Sequence, residues 1–569
     1  MNNCSDIIVS EDVHDYIIGY SAVGCPVPQD NDEYCVKSIN ENWCLAYAPG
    51  SENQQFSISD IGYITIPKLY GLMDTSSFDV SGITDILNQP LLDLRGQGVI
   101  IGFVDTGIDY TLDIFNAAPG LTRIGTIWDQ TVKSNGRQVY NIFEYGTVYT
   151  KDDINRALSA KRSGGDPYEI VPSKDTDGHG TFMAGVAAAS ETAEYTGAAP
   201  ECEIAMVKLK EAKKYLRDYF LIKDGAKAYQ ENDMMTAVRF LYNYSRQQKK
   251  PLVICIGLGT CFGPRNGATP FADVLDTMSR QLNTVVITCM GNEATQRAHK
   301  SGVVLRQEEP GEMEINVGNN EKGFAMEIWV DSRDVLSLSV ISPSGETVPR
   351  VPARTGMSTV YNFLFENTTV TIDYKILEIV SGYEVIILRF ISPAAGIWRI
   401  RLFSLTNIIG SYNAWLPLRQ FMNSDTYFLQ SDPDTTLVEP SAADKVISVG
   451  AYDHKTGAAY ADSGRGYTTD SRVKPDFAAP GVNVYGPRPG GGYTNKSGTS
   501  IAAAHAAGAA ALLLTWGVYY GNDPYMSASE IRSALIRGAQ RNSDFQYPNR
   551  ILGYGKLDLA EAFLILRTT

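Results

Sequence analysis

The chain has 569 residues, is 44% hydrophobic and 20% charged, and carries a formal net charge of −15. This length allows more than one domain with a large buried core, and the composition is that of a folded soluble chain. An acidic excess excludes nucleic acid as the main partner, because phosphate binding needs clustered Lys and Arg. The first residues, Met1-Asn2-Asn3-Cys4-Ser5-Asp6, hold no basic run followed by an apolar stretch. No secretory signal is therefore expected, and synthesis in the cytoplasm is. Four of the eight cysteines fall early (Cys4, Cys25, Cys35, Cys44), and no pair has zinc-type spacing. They read as free thiols, with Cys25, Cys35 and Cys44 able to bridge if the protein matures outside the cell.

Short apolar runs at 7–9, 16–20 and 44–48, then the strand-like Tyr63-Ile64-Thr65-Ile66-Pro67, predict a small α+β unit of about 70 residues. From Gly98 the texture changes. Val99–Val104, Ile204–Leu209, Leu252–Leu258 and Thr284–Met290 are continuous apolar strands. Between the last three lie helical patterns, one capped by Asp233 with Met235, Val238 and Tyr242 on one face, and Thr181–Ala189 forms another. Alternating strands and helices imply an α/β fold, a parallel sheet with helices on both faces. Reactive residues in such sheets gather beyond the carboxyl ends of the strands, where Asp105 and Asn292 stand.

Helical periodicity weakens between Val303 and Leu437. Met313–Val317, Leu336–Ile341 and Glu384–Phe390, with turn signals such as Pro343-Ser344-Gly345, read as an all-β sandwich or jelly roll. The α/β texture returns at Lys445–Gly450, so the β segment is an insertion. Ile501–Leu514 is apolar but too short to span a bilayer and contains His505; it reads as a buried helix, and no membrane span is expected.

The chemistry lies in Val104-Asp105-Thr106-Gly107, Gly178-His179-Gly180-Thr181 and Ser497-Gly498-Thr499-Ser500. A serine hydroxyl is a weak nucleophile at neutral pH. An imidazole must take its proton, and a carboxylate must fix that imidazole's tautomer. Of His14, His179, His299, His454 and His505, only His179 is flanked by glycines that leave room around the ring. Asp105 ends an apolar strand, and Ser500 opens a small-residue helix whose N-terminus favours developing negative charge. The chain order Asp, His, Ser itself carries information, since unrelated folds arrange this triad differently.

Ile101–Ile108, Asp177–Thr181, Gly291-Asn292-Glu293, Lys474–Gly481 and Ser497–Ala502 resemble the signature blocks of the subtilisin-like serine proteases. The resemblance implies that Ser500 is the nucleophile, His179 the general base and then acid, and Asp105 the orienting carboxylate. Asn292 would donate to the oxyanion beside the Ser500 N–H. It also implies that Leu258, Gly259 and Gly291 wall the primary specificity pocket, with Glu293 nearby favouring basic or polar side chains, and that substrate binds as an added strand. His505 matches a helix position behind the serine. Ile501-Ala502-Ala503-Ala504-His505 and Ile256-Gly257-Leu258-Gly259-Thr260 depart from the usual family segments. The loop Ser190–Thr196 lacks the pattern of a tight calcium site, so no metal and no cofactor are expected.

A β insertion between the oxyanion Asn and the serine, with a short leading unit, resembles the Csp branch, the clostridial proteases that act in spore germination on a cortex-lytic proenzyme. The implied organisation is a prodomain over 1–70, catalytic segments at 71–300 and 439–569, and an inserted β jelly roll at 301–438. The prodomain would be an intramolecular chaperone cleaved in cis near Tyr70-Gly71. The partners implied are a protein or peptide substrate and the chain's own prodomain, in a monomer acting in the spore or after release from the cell. The alternative within this branch is a pseudoprotease or ligand sensor. For the insertion the alternatives are a rigid brace and a carbohydrate-binding module.

Overall fold

Apolar runs that end in a polar residue build the centre of the molecule. The computed structural model describes residues 4–19, 35–49, 61–72, 81–89, 93–118, 120–133, 142–305, 309–331, 333–406 and 409–566. Its main sheet has eight strands in the order Phe477–Pro480, Ile447–Tyr452, Thr284–Cys289, Leu252–Ile256, Ile100–Asp105, Glu203–Lys208, Ile124–Asp129, Thr147–Thr150. All neighbours run parallel except the last pair.

Side chains alternate across this sheet, and both faces are buried. Ile101, Phe103, Val253, Cys255, Val285 and Ile287 pack with the helices His179–Ala188 and Thr499–Leu514. Ile100, Val104, Leu252, Ile254 and Val286 pack with Glu231–Gln248 and Pro270–Ser279. Period-two alternation with two covered faces explains why these strands read as unbroken apolar runs. Thr499–Leu514 has no charged residue and is buried on every side. With its continuation to Tyr519 it is long and apolar enough to cross a membrane, yet 89% of that apolar window lies inside the fold. Such a helix, apolar all round and rich in Ala, belongs in a core. Its neighbours approach closely: a Cβ added at Gly508 would stand 2.2 Å from that of Ala198.

The leading unit is a three-stranded antiparallel sheet, Val13–Gly19, Trp43–Pro49 and Cys35–Ser38, with a helix at Cys4–Val9. Its Val13, Ile17, Trp43, Leu45 and Tyr47 share one apolar cluster with Met234, Val238 and Leu241 of the Glu231–Gln248 helix. A buried ion pair, Asp15 to Lys213 at 2.7 Å, and a Trp43 Nε1–H bond to Asp273 at 2.6 Å fix the same contact. Cys4 and Cys35 form a disulfide, correcting the expectation of free thiols. Cys25 lies outside the described residues. Cys202, Cys255, Cys261 and Cys289 are free and buried.

Two local expectations give way to tertiary contacts. Residues 63–65 form a turn rather than a strand, and the strand is Leu69–Leu72. Here the Lys68 ammonium is buried and donates to the carbonyls of Tyr63 and Ile66 at 2.7 and 2.9 Å, while Tyr63 Oη–H donates to Glu327. The helix at Glu231 begins before Asp233, whose carboxylate lies 2.6 Å from Lys210 Nζ instead of capping.

Between His299 and Phe428 the chain forms a sandwich of a six-stranded and a four-stranded sheet, packed through Met326, Ile328, Leu338, Leu388, Trp398 and Ile400. The outer face of the six-stranded sheet is covered too. Ala325, Trp329, Val385, Ile387 and Trp415 share the apolar cluster that contains Tyr219, Phe220 and Phe262 of the α/β unit. The sandwich is thus docked on the α/β unit along an apolar face.

At the start of strand Glu384–Ile391, the Glu384 carboxylate is buried and accepts the Leu336 N–H at 2.8 Å. Burial pushes its carboxyl up to about 8. A raised acid favours the protonated folded state, so its contribution is full below its unfolded value and declines as pH rises toward 8. Glu384→Gln is expected to flatten the fall in melting temperature between about pH 5 and pH 8. Differential scanning fluorimetry of the two proteins checks this.

Candidate active site

Asp105 ends the central strand of the main sheet, His179 is the first residue of its helix, and Ser500 is the second residue of the long apolar helix. Residues far apart in sequence meet here. His179 Nδ1 lies 2.8 and 3.0 Å from the two Asp105 oxygens, and His179 Nε2 lies 3.1 Å from Ser500 Oγ. All three are buried. A carboxylate on one ring nitrogen places the proton there and leaves the other to accept from the hydroxyl.

Asp175 holds the loops that carry this arrangement, and sequence reasoning missed it. One carboxylate oxygen accepts from Thr106 Oγ1 (2.9 Å) and the Gly178 N–H (2.8 Å). The other accepts from the Thr181 N–H (2.8 Å) and Oγ1 (2.7 Å). Asp175 thus ties the residue after Asp105 to both sides of His179. The Gly180 N–H donates back to Thr106 Oγ1 at 2.9 Å. Gly180 is required by contact, because a Cβ there would stand 2.1 Å from the Gly107 carbonyl oxygen. An acid four residues before a glycine-flanked histidine was the available signal.

Asn292 follows the strand Thr284–Cys289, and its Oδ1 accepts the Thr499 N–H at 3.0 Å and Thr499 Oγ1 at 3.2 Å. The Gly291 N–H donates to Thr499 Oγ1 at 3.0 Å. With its oxygen held, the amide has its N–H donors available for an oxyanion beside the start of the Ser500 helix. Thr499 was not singled out in the sequence, although it adjoins the serine.

Beside the triad runs a short three-stranded sheet. Its outer strands are Tyr229–Gln230 and Leu258–Gly259, and its middle strand is Leu69–Leu72 from the leading unit. Gly71 pairs with Gly259 and Leu72 with Leu258, while Tyr70 pairs with Tyr229. Tyr70 is buried with its ring edge-on to Phe271, centroids 5.7 Å apart. Gly257, one residue before Leu258, abuts the triad: a Cβ there would lie 3.0 Å from both His179 Cε1 and Ser500 Cβ.

Glu293 is buried beside Gly291 and Asn292, and its carboxylate faces the Arg419 N–H at 3.4 Å. Burial raises it to about 7. His505 is a core residue whose Nδ1 meets the Ile501 carbonyl at 2.9 Å, and burial pushes it down to about 3. Among the described residues, no group of three or more His, Cys, Asp or Glu is arranged to hold a metal ion.

This constellation on a parallel sheet defines a class, and comparison with known proteins agrees. The chain matches the Subtilase family over residues 96–322 and 419–555, more than half its length, and belongs to that family. Its similarity to solved structures includes the CspB protease of Clostridium perfringens, with a TM-score of 0.75 and 31% identity, covering 86% of this chain and 98% of that one. The chain is a Csp-like subtilase. Among curated relatives, subtilisin DY of Bacillus licheniformis is 36% identical over 127 residues, 22% of this chain and 39% of that protein. The serine protease AprX of Bacillus subtilis is 34% identical over 149 residues, 22% of this chain and 32% of that protein. The chain therefore spans about two fifths or less of the length of these two relatives.

Two substitutions test the assembly. Asn292→Leu is expected to lower turnover on the order of 10²–10³-fold, the loss seen when a subtilisin loses such an oxyanion donor, with melting temperature nearly unchanged. Asp175→Ala, leaving its four donors without their acceptor, is expected to lower kcat by roughly 10²-fold by displacing His179, with a smaller effect on KM. Steady-state kinetics beside thermal melts check both.

Proposed function

We propose that this protein is a serine endopeptidase that cuts its own leading unit free. The observation that carries this reading is the chain of contacts from Asp105 through His179 to Ser500, with the protein's own strand Leu69–Leu72 in the adjoining cleft. Ser500 Oγ attacks the carbonyl carbon as His179 Nε2 takes its proton. The oxyanion receives hydrogen bonds from Asn292 and the Ser500 N–H. The imidazolium, stabilised by Asp105, gives the proton to the leaving amine, and the peptide C–N bond breaks. Water then attacks the ester by the same route and frees the serine.

The ladder register moves the expected cut. Tyr70-Gly71, the bond proposed from sequence, lies opposite Tyr229 and Gly259, away from the residue that touches the triad. Leu72 opposes Leu258, and the enzyme residue one step nearer the triad is Gly257. Met73, which follows in sequence, lies outside the described residues, and the bond after it, Met73–Asp74, is the cut proposed here. Residues 1–73 then serve as the prodomain. Its strand in the cleft and its Asp15–Lys213 ion pair favour retention as an inhibitor after cleavage. Likeness to the Csp branch supports a proenzyme of spore germination as the natural substrate. The apolar docking of the sandwich supports the brace reading for the insertion.

Full-length protein and its Ser500→Ala variant, purified in parallel, are compared by intact mass. The parent is expected as two fragments, the larger beginning at Asp74, and the variant as one intact chain. Processing of the variant would overturn self-cleavage, and a larger fragment beginning at Gly71 would overturn the register.

A further inference from the structure

We propose that two copies of this chain pair through an open edge of the β sandwich, the strand Ser358–Phe363 lying antiparallel to its counterpart across a two-fold axis. This strand ends the six-stranded sheet and pairs on one side with Thr368–Lys375. Among the described residues no strand pairs with its other edge. An open edge accepts any strand that reaches it, and proteins ordinarily block it with a charge, a proline, a bulge or a covering segment. Two other edge strands of the sandwich are blocked in this way. Leu336–Ile341 is covered by the segment that follows it, with Val348 N–H donating to Val340 O at 2.8 Å and Val351 N–H to Leu338 O at 2.7 Å. His299–Val304 carries Lys300, and the Asp432 N–H donates to His299 O at 2.8 Å. A third edge strand, Tyr427–Phe428, is only two residues long. Ser358-Thr359-Val360-Tyr361-Asn362-Phe363 has no charge, no proline and an unbroken register with its neighbour.

The two ends of this hairpin identify the partner as a second copy. At one end the turn after Phe363 presents Leu364 and Phe365, each 83% exposed. Glu346 Oε2 holds that turn by accepting the N–H groups of both, at 3.0 and 3.3 Å. Glu366 in the same turn accepts the Ser344 N–H at 3.0 Å. This end is apolar and acidic. At the other end stand the exposed Met357 with Leu377 and Ile379, 67% and 78% exposed, beside the exposed Arg354 and the half-buried Lys375. The carboxylates nearby, Asp373 and Glu378, are buried, and Glu378 accepts the N–H groups of Val380 and Ser381. This end is apolar and basic. A two-fold axis perpendicular to the sheet exchanges the ends. With the axis through Val360, that exposed side chain meets its own counterpart, Ser358 lies opposite Asn362, and Met357 lies opposite Phe363. The apolar turn of each copy then falls beside the apolar end of the other, and Glu346 and Glu366 approach Arg354 and Lys375. Such a contact is self-complementary and forms twice, and it closes the edge against a third chain. A dimer departs from the monomer expected from the sequence.

Sedimentation equilibrium of the full-length protein at micromolar concentration is expected to give twice the mass of one chain. Val360→Lys, which sets two ammonium groups face to face on the axis, is expected to raise the dimer Kd by about tenfold or more. Its melting temperature should hold, because Val360 is exposed. Arg354→Glu is expected to weaken the dimer as well, and Arg354→Glu combined with Glu366→Lys to restore it. These two proteins serve if Val360→Lys folds poorly by thermal melt. Val360→Cys is expected to cross-link to its counterpart as a disulfide under copper-phenanthroline oxidation, whereas Asn362→Cys, displaced from its own counterpart along the strand, is not. A single-chain mass throughout, or an edge that takes a strand from a different protein in place of a second copy, overturns the dimer. A dimer that withstands Val360→Lys and gives no Val360→Cys cross-link overturns this edge as its site.

Discussion

A serine hydroxyl becomes a nucleophile only when an imidazole and a carboxylate are held against it to within a few tenths of an ångström. In this chain the three groups come from three separate segments, at positions 105, 179 and 500. The contact of His179 with both partners depends on how closely two loops approach. Gly180 rests against the Gly107 carbonyl, and the Asp175 carboxylate ties Thr106, Gly178 and Thr181 into one unit. The parallel sheet delivers Asp105 and Asn292 at strand ends, and the long apolar helix delivers Ser500. These elements set the orientations, and the loop contacts remove the remaining freedom.

The β sandwich interrupts the chain between Asn292 and Ser500 without separating them. Thr499 donates to the Asn292 oxygen and accepts the Gly291 N–H, so Asn292 and the start of the Ser500 helix are joined locally whatever lies between them in sequence. The insertion also returns something to the cleft. After its last strand, Tyr427–Phe428, the chain runs back between the two walls and bridges Met290 and Thr260 through Val438 and Glu439. The Glu327 carboxylate reinforces this, accepting from Tyr63 of the leading unit, from the Gly263 N–H and from Trp329. Leading unit, catalytic unit and sandwich meet at that one buried group.

The catalytic part was legible in the sequence because its signals are local. A strand ending in Asp-Thr-Gly, a histidine between glycines and a serine before an alanine-rich helix each need only a few neighbouring residues. The strands of the sandwich were legible through the same period-two rule, and Leu336–Ile341 falls where the alternation put it. What was hidden depends on partners distant in sequence. The turn at 63–65 replaced a strand because Lys68 and Glu327 claim its polar groups. Asp233 was claimed by Lys210, and the Cys4–Cys35 pairing requires knowing that a helix lies on a strand.

The central claim is that Asp105, His179 and Ser500 work as one unit. Reaction of the processed protein with a fluorophosphonate, followed by peptide mapping, tests it directly. The account predicts a single adduct on Ser500, lost when His179 is replaced by Ala while the fold persists by circular dichroism. No adduct on Ser500, or equal labelling in the His179→Ala variant, would contradict it.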